Sequence, residues 1–204
     1  MMPVIRKGDA MNRKQQKDET RQRILETAVR RMRELGLEGA GVNAVMKESG
    51  LTHGGFYAHF DSKDDLASRA MAEATREQRQ RWITGIEETP RGQRVARLLA
   101  RYLSPVHRDS VDGCPVPSVA AGVAHASDEV REAFEQELLG TVDALEELLD
   151  DEGAADARQK AIGTMALCIG GMVMARAVPD TQLSDEILLA ARNFAGGVKH
   201  RRGR

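Results

Sequence analysis

Aromatic side chains are scarce in this chain: one Trp, two Tyr and four Phe among 204 residues. Cysteine is scarcer in effect, because Cys114 and Cys168 alone make neither a disulfide framework nor a tetrahedral zinc set. Proline is missing between Pro3 and Pro90 and again between Pro117 and Pro179, so two long stretches lack the strongest helix breaker. No alternating apolar run is flanked by hairpin turns, which argues against paired strands. Nor does an apolar signal core stand near the start. The most apolar segment, Ile162–Ala175, contains two adjacent glycines and is followed by Arg176; it is too short to cross a bilayer and is expected as a buried helix. These absences imply a reducing cytoplasm, free thiols and no membrane partner. No Gly-rich phosphate loop or metal-ligand cluster is present, and His125 and His200 stand isolated, so no cofactor and no enzyme are expected.

Charge of one sign is also lacking, since 30 Lys and Arg face 31 Asp and Glu. The balance conceals an uneven spread. Residues 1–33 carry a net +6 and the remainder −7. A basic front end on an acidic body is the asymmetry of a protein whose N-terminus meets a polyanion, although a solvated start that aids solubility has the same composition.

What the chain does have is helical periodicity. Ile24, Ala28, Met32 and Leu35 recur every three or four residues before Gly36 supplies a C-cap, and Val130, Phe134, Leu138, Val142, Leu145 and Leu149 mark one face of a later helix. With 41% hydrophobic residues the chain is expected to fold as an all-α protein. Helices are expected at 18–35, 42–48, 53–59, 62–87, 91–103, 117–124, 128–150, 155–177 and 184–196, with 104–116 irregular. The corresponding organisation is a flexible basic arm (1–17), a helix-turn-helix domain (18–66), a larger effector-binding and dimerisation body (67–197) and a basic tail (198–204).

Function concentrates between residues 42 and 60. Val42, Val45 and Met46 form the apolar face of one short helix, Gly50 suits a left-handed turn, and Leu51 is the expected plug. Thr52 would cap a second helix with Phe56 and Phe60 turned inward. That is helix-turn-helix geometry, in which the second helix enters a major groove. Thr52, His53, Tyr57 and His59 then face outward as hydrogen-bonding side chains. Gly54 and Gly55 cost roughly 1 kcal/mol each in a helix, which suits a backbone that approaches DNA or the bracing helix closely. Ser62 and Asp65 make a capping box, while Lys63 opposes the helix dipole in a way that a bound phosphate would reconcile. The competing readings are a core tyrosine for Tyr57 and a surface or capping histidine for His59.

Residues 20–66 resemble the DNA-binding domain of the TetR family of bacterial repressors. The resemblance rests on Thr20-Arg21, Ile24-Leu25, Ala28 and Gly36. It continues through the run Gly50-Leu51-Thr52-His53-Gly54-Gly55-Phe56-Tyr57-Ala58-His59-Phe60-Asp61-Ser62-Lys63-Asp64-Asp65-Leu66. One departure is Ala40-Gly41, where the family usually carries a Thr or Ser that touches phosphate. The resemblance implies that Thr52, Tyr57, His59 and Lys63 hold phosphates while His53, Gly54 and Gly55 face base edges. It further implies a homodimer on a palindromic operator, repression of transcription, and release by an unidentified small-molecule effector bound in the body.

For the dimer seam the expected stripe is Gly163, Ala166, Gly170, Val173 and Ala177, with Ile187, Leu188, Ala191, Phe194 and Ala195 opposite. The alternative is that both stripes are buried within one subunit. Candidate effector contacts are Trp82, Tyr102, Val106, His107, Cys114, Phe134, Leu138, Met165, Cys168 and Met172, although such a stripe equally suits plain core. Cys114 lies near His107 and Arg108, where a cation and a helix start would favour thiolate and an electrophile sensor; a small buried thiol is the other reading. The functional alternatives are a cysteine-dependent redox or electrophile-sensing enzyme and a non-regulatory helical adaptor.

Overall fold

The computed structural model describes residues 7–197. Residues 1–6 and the expected basic tail, 198–204, lie outside them. Nine α-helices run α1 (Lys7–Leu35), α2 (Val42–Glu48), α3 (Lys63–Ile83), α4 (Arg94–Tyr102), α5 (Pro105–Arg108), α6 (Val116–Val123), α7 (Asp128–Asp151), α8 (Ala157–Ala177) and α9 (Thr181–Ala195). Two 3₁₀ segments, Leu37–Ala40 and His53–Ala58, complete the described residues, which contain no strand. The all-α expectation is met.

Local chemistry sets most boundaries. Gly36 closes α1 at φ 70°, and its N–H donates to the Met32 carbonyl at 2.9 Å. Ser62 accepts from the Asp65 N–H at 2.9 Å, and the Asp65 carboxylate reaches back to the Asp61 N–H at 3.1 Å. The capping box is thus present, with its return bond one residue earlier than the motif predicts. Pro105 opens α5 behind a Ser104 cap, so the stretch 104–116 is not wholly irregular.

Several expectations need correction. Residues 7–17, expected as a flexible arm, are helical and continue α1, since no proline lies between Pro3 and Pro90 and Ala10, Met11, Arg13, Lys14, Gln15, Gln16 and Lys17 have good helix propensity despite Gly8, Asp9 and Asn12. α3 stops at Ile83, four residues early, where Gly85 takes φ 71°. α8 is long and apolar enough to cross a membrane by length and composition, contrary to the estimate from 162–175 alone. It is nevertheless packed in the body, with Ala161, Met165, Cys168, Met172 and Ala175 buried.

Two apolar clusters organise the packing. The first joins Ile24, Ala28 and Met32 of α1 to Val45, Met46, Phe56, Phe60, Leu66 and Met71, and it takes in Val119, Val123 and Val130 from α6 and α7. The second gathers Trp82, Leu99, Tyr102, Leu103, Cys114, Leu145, Met165, Cys168, Met172 and Leu188. Because α6 and α7 contribute to the first cluster, the N-terminal unit shares its core with the body. A Cβ on Gly36 would stand 2.6 Å from the Ser118 carbonyl oxygen, which shows how closely the end of α1 meets α6.

Candidate nucleic-acid interface

α2 is the brace. Val45 and Met46 are buried, Gly50 turns at φ 72°, and the Leu51 N–H donates to the Met46 carbonyl at 2.9 Å. Leu51, expected as a buried plug, is only partly buried. The next segment, His53–Ala58, is a 3₁₀ helix, not the expected α-helix. Adjacent Gly54 and Gly55 explain the difference, since they are poor α-helix formers and tolerate the tighter winding. Thr52 sits at the N-cap position in extended conformation, but its side chain makes no capping bond.

The inward face of this segment is aromatic. Phe56 and Phe60 are buried and stacked, 5.8 Å apart, and the Arg21 guanidinium lies 5.0 Å from the centre of the Phe60 ring. Opposite them, Thr52, His53, Gly54 and Tyr57 are exposed, and Tyr57 shows 69% of its surface. Such exposure is incompatible with a core tyrosine. Lys63 is exposed at the first residue of α3. Gly54 has open space where a Cβ would be, and Gly55 has only ordinary contacts with Met46 and Thr52. Close approach to the bracing helix therefore does not account for Gly54. His59 is half-buried, and its Nδ1 has no partner. Burial lowers its pKa, and Lys17 and Arg21 of α1 lower it further. Lys17, from the stretch expected to be flexible, and Arg21 thus extend the basic surface beside His53–Ala58.

The α8–α9 pair presents a second exposed face. Gly163, Ala166, Gly170, Val173 and Ala177 are all exposed, as is Phe194 at 82%. Ile162, Met174, Leu183 and Leu189 add apolar surface that the sequence reading did not include. Ile187 is partly buried. Ala191 and Leu188, expected at the seam, are instead buried within the subunit, because a Cβ on Gly171 would come within 2.9 Å of the Ala191 Cβ. The Gly171–Ala191 contact holds α8 and α9 together, while the outer stripes are left uncovered.

Inside the body, Trp82, Tyr102, Cys114, Met165 and Cys168 surround a cavity of about 20 Å³, roughly the space of one water. Phe134 and Met172 do not line it: Phe134 bridges the two apolar clusters and Met172 is fully buried. Val106 is 83% exposed and Leu138 does reach the wall. His107 stands behind the cavity, its Nδ1 2.7 Å from the Tyr102 carbonyl oxygen and its Nε2 accepting the Cys114 N–H at 2.9 Å. Those bonds require a neutral imidazole with the proton on Nδ1. Burial lowers its pKa, against the Tyr102 carbonyl, which raises it.

Cys114 is a buried thiol. Burial pushes its pKa up, outweighing Tyr102 and Arg176, while Arg108 turns away to Asp109, Ser184 and Asp185. Of the two readings the sequence offered, the structure matches the small buried thiol; a thiolate sensor lacks its chemical basis, as does a nucleophile paired with His107. Cys168 is raised to about 12 by burial, as expected of a core thiol. Thr75 and Gln78 of α3, which sequence reasoning missed, also line the cavity. Their spacing with Trp82, at i, i+3 and i+7, was the available signal.

Two family models match the chain. Residues 24–70 match "Bacterial regulatory proteins, tetR family", and residues 91–188 match "Transcriptional regulator LmrA/YxaF-like, C-terminal domain". Together they span the reading segment and most of the body. The chain belongs to the TetR family. Among relatives of this TetR regulator, the HTH-type transcriptional regulator LmrA of Bacillus subtilis is 29% identical over 161 residues, covering 76% of the chain and 86% of LmrA. A TetR-family regulator from Cytophaga hutchinsonii superposes with a TM-score of 0.74 at 20% identity, covering 92% of the chain and 98% of its own. One from Streptomyces coelicolor does so with a TM-score of 0.67 at 26% identity, covering 88% and 89%. The protein is accordingly a TetR-type DNA-binding transcriptional regulator. TetR-family regulators act as dimers and are not enzymes, and nothing favours the enzyme or adaptor alternatives.

Proposed function

We propose that the protein represses transcription by binding a palindromic operator as a homodimer and that a small molecule in the body releases it. The observation that carries this reading is the exposed face of Thr52, His53, Gly54 and Tyr57 over a stacked Phe56–Phe60 core, with Lys63 and the α1 cations on its flanks. In this arrangement Thr52, Tyr57, His59 and Lys63 grip phosphates and set register, while His53, Gly54 and Gly55 face base edges. Residues 18–66 serve as the reading head and 67–197 as the effector and dimer body. The exposed outer stripes of α8 and α9 support pairing into a four-helix seam, which spaces two heads for two half-sites. A palindrome is read because one head contacts too few bases alone.

The test is a gel shift on duplex DNA from upstream of the protein's own coding sequence, titrated over a range of salt. Lys63→Ala should weaken binding to specific and random duplex alike and reduce the salt slope by about one unit. An unchanged slope removes Lys63 from the phosphate contacts, and no shift by the unaltered protein removes that duplex as an operator.

A further inference from the structure

Six buried side-chain nitrogen or oxygen atoms among the described residues lack a hydrogen-bond partner, and four of them belong to Thr75, Gln78, Trp82 and Tyr102. All four residues line the same internal cavity. None is more than 8% exposed, so bulk water does not satisfy them. Buried polar groups are ordinarily paired, and a cluster of unpaired ones around one void is the mark of a site whose partner comes from outside the chain.

We infer that this cavity, between α3, α4 and α8, binds an uncharged small molecule carrying both a hydrogen-bond acceptor and a donor on an apolar body. The inference rests on the effector reading above and specifies its chemistry. Trp82 Nε1–H can only donate, so the ligand needs an acceptor. Gln78 Oε1 can only accept, so the ligand needs a donor; the amide nitrogen of Gln78 lies 3.4 Å from His107 Nε2. The Thr75 hydroxyl serves either way; the Tyr102 hydroxyl also faces the Cys114 thiol and is the least exclusive of the four. Burial holds the Tyr102 phenol protonated, since it raises the pKa well above the usual value. The ligand is neutral because the cavity offers no free charge. Arg79 reaches the wall, but its Nη1 is held by the Glu137 carboxylate at 3.0 Å and the Glu137 carbonyl at 3.2 Å. The rest of the wall is apolar, with Leu138, Met165 and Ile169.

The unliganded cavity holds only about 20 Å³, so a ligand must widen it on entry by displacing its wall, to which α3 contributes Thr75, Gln78, Arg79 and Trp82. That requirement ties occupancy to the position of α3, whose first turn carries Lys63 and whose N-terminal half packs in the reading head.

Trp82 is the chain's single tryptophan, so its emission reports on the site directly. The experiment titrates the full-length protein with benzamide, benzoate and toluene, which share a ring and differ in charge and hydrogen bonding. Benzamide should give a saturable change in emission, and neither benzoate nor toluene should match it. In the Thr75→Val/Gln78→Leu variant the benzamide Kd should rise about tenfold or more, with far-UV circular dichroism unchanged. A second readout is the melting temperature of Thr75→Val alone. It should stay or rise, because the change removes an unpaired polar atom; a fall would show that a resident water satisfies Thr75 and would overturn the proposal. No saturable response to benzamide, an equal response to toluene or benzoate, or an unaltered Kd in the double variant would also overturn it. The gel shift described above separates the two readings: duplex binding without benzamide binding removes the ligand class alone, and benzamide binding without a shift removes that duplex as the operator and leaves the ligand class standing.

Discussion

At the scale of single residues, Gly54 and His107 show how an apparently minor side chain carries a definite consequence. Gly54 lies in a helical turn where Ala would be preferred, and nothing in the protein occupies the place of its missing Cβ. Gly54→Ala should therefore leave thermal stability unchanged or raise it by about 0.5–1 kcal/mol. On the proposed reading it should also weaken operator binding, by gel shift, through the methyl group set against DNA. Unchanged affinity would exclude close DNA approach at that position. His107 is neutral in the fold, and its pKa lies below the ordinary 6.5. The unfolded chain then binds the proton more readily, so the stability linked to His107 is present above about pH 6.5 and is lost as pH falls toward the lowered value. Urea midpoints measured from pH 7.5 to 5 should fall for the unaltered protein, and less so for His107→Gln. His59 has a lowered pKa too and contributes in the same direction, so part of the slope should survive in that variant.

At the scale of elements, α8 and α9 divide their surfaces between two tasks. Their inner faces meet through Gly171 and Ala191, and Ser184 Oγ donates to the Ala175 carbonyl at 2.6 Å. Their outer faces expose Ile162, Val173, Met174, Leu183, Leu189 and Phe194. On the proposed reading these apolar side chains form the association surface. Phe194→Glu should convert the proposed dimer to monomer in sedimentation at micromolar concentration, with the helical signal retained because Phe194 contributes little to the subunit's own core. A variant that still sediments as dimer would move the seam elsewhere. The small-residue stripe that the sequence pattern marked on α8 is exposed, whereas Ala191 and Leu188, marked with it, turn inward. Periodicity tells which residues share a side of a helix; it does not tell whether that side meets the same subunit or another.

At the scale of the whole molecule, the head and body are joined by packing and by charge. Arg33, near the end of α1, is 6% exposed and pairs with Glu77 of α3 at 2.6 Å and Asp112 at 3.6 Å. The 109–114 segment is held in turn by Arg81, which donates to the Asp112 carbonyl, and by Arg176, which donates to the Cys114 carbonyl. A continuous set of contacts therefore runs from the cavity wall at Cys114 to the C-terminal end of α1. Arg33→Met should lower unfolding free energy by about 1–3 kcal/mol in urea titration. It should also speed amide exchange in 109–113. Unchanged exchange would show that the segment is held by Arg81 and Arg176 alone.

The sequence by itself determined the family-like segment: the Gly50–Leu66 run, the helical periodicity, the Gly36 and Ser62 boundaries and the exposure of Thr52, His53 and Tyr57, though not the half-burial of His59. These are local features, set by backbone preference and by spacing along one chain. It also indicated the stripe on α8. Only the tertiary structure decided the rest. Cys114 reads as reactive from its neighbours in sequence, yet burial outweighs them and raises its pKa. Thr75 and Gln78 read as ordinary polar residues of a long helix, and only packing of α3 against α7 and α4 buries their oxygens without partners. Lys17 counts as part of a flexible basic arm until α1 continues through it and sets it, with Arg21, beside His59. In each case the deciding quantity is desolvation or charge proximity between residues distant in sequence, which local patterns do not encode.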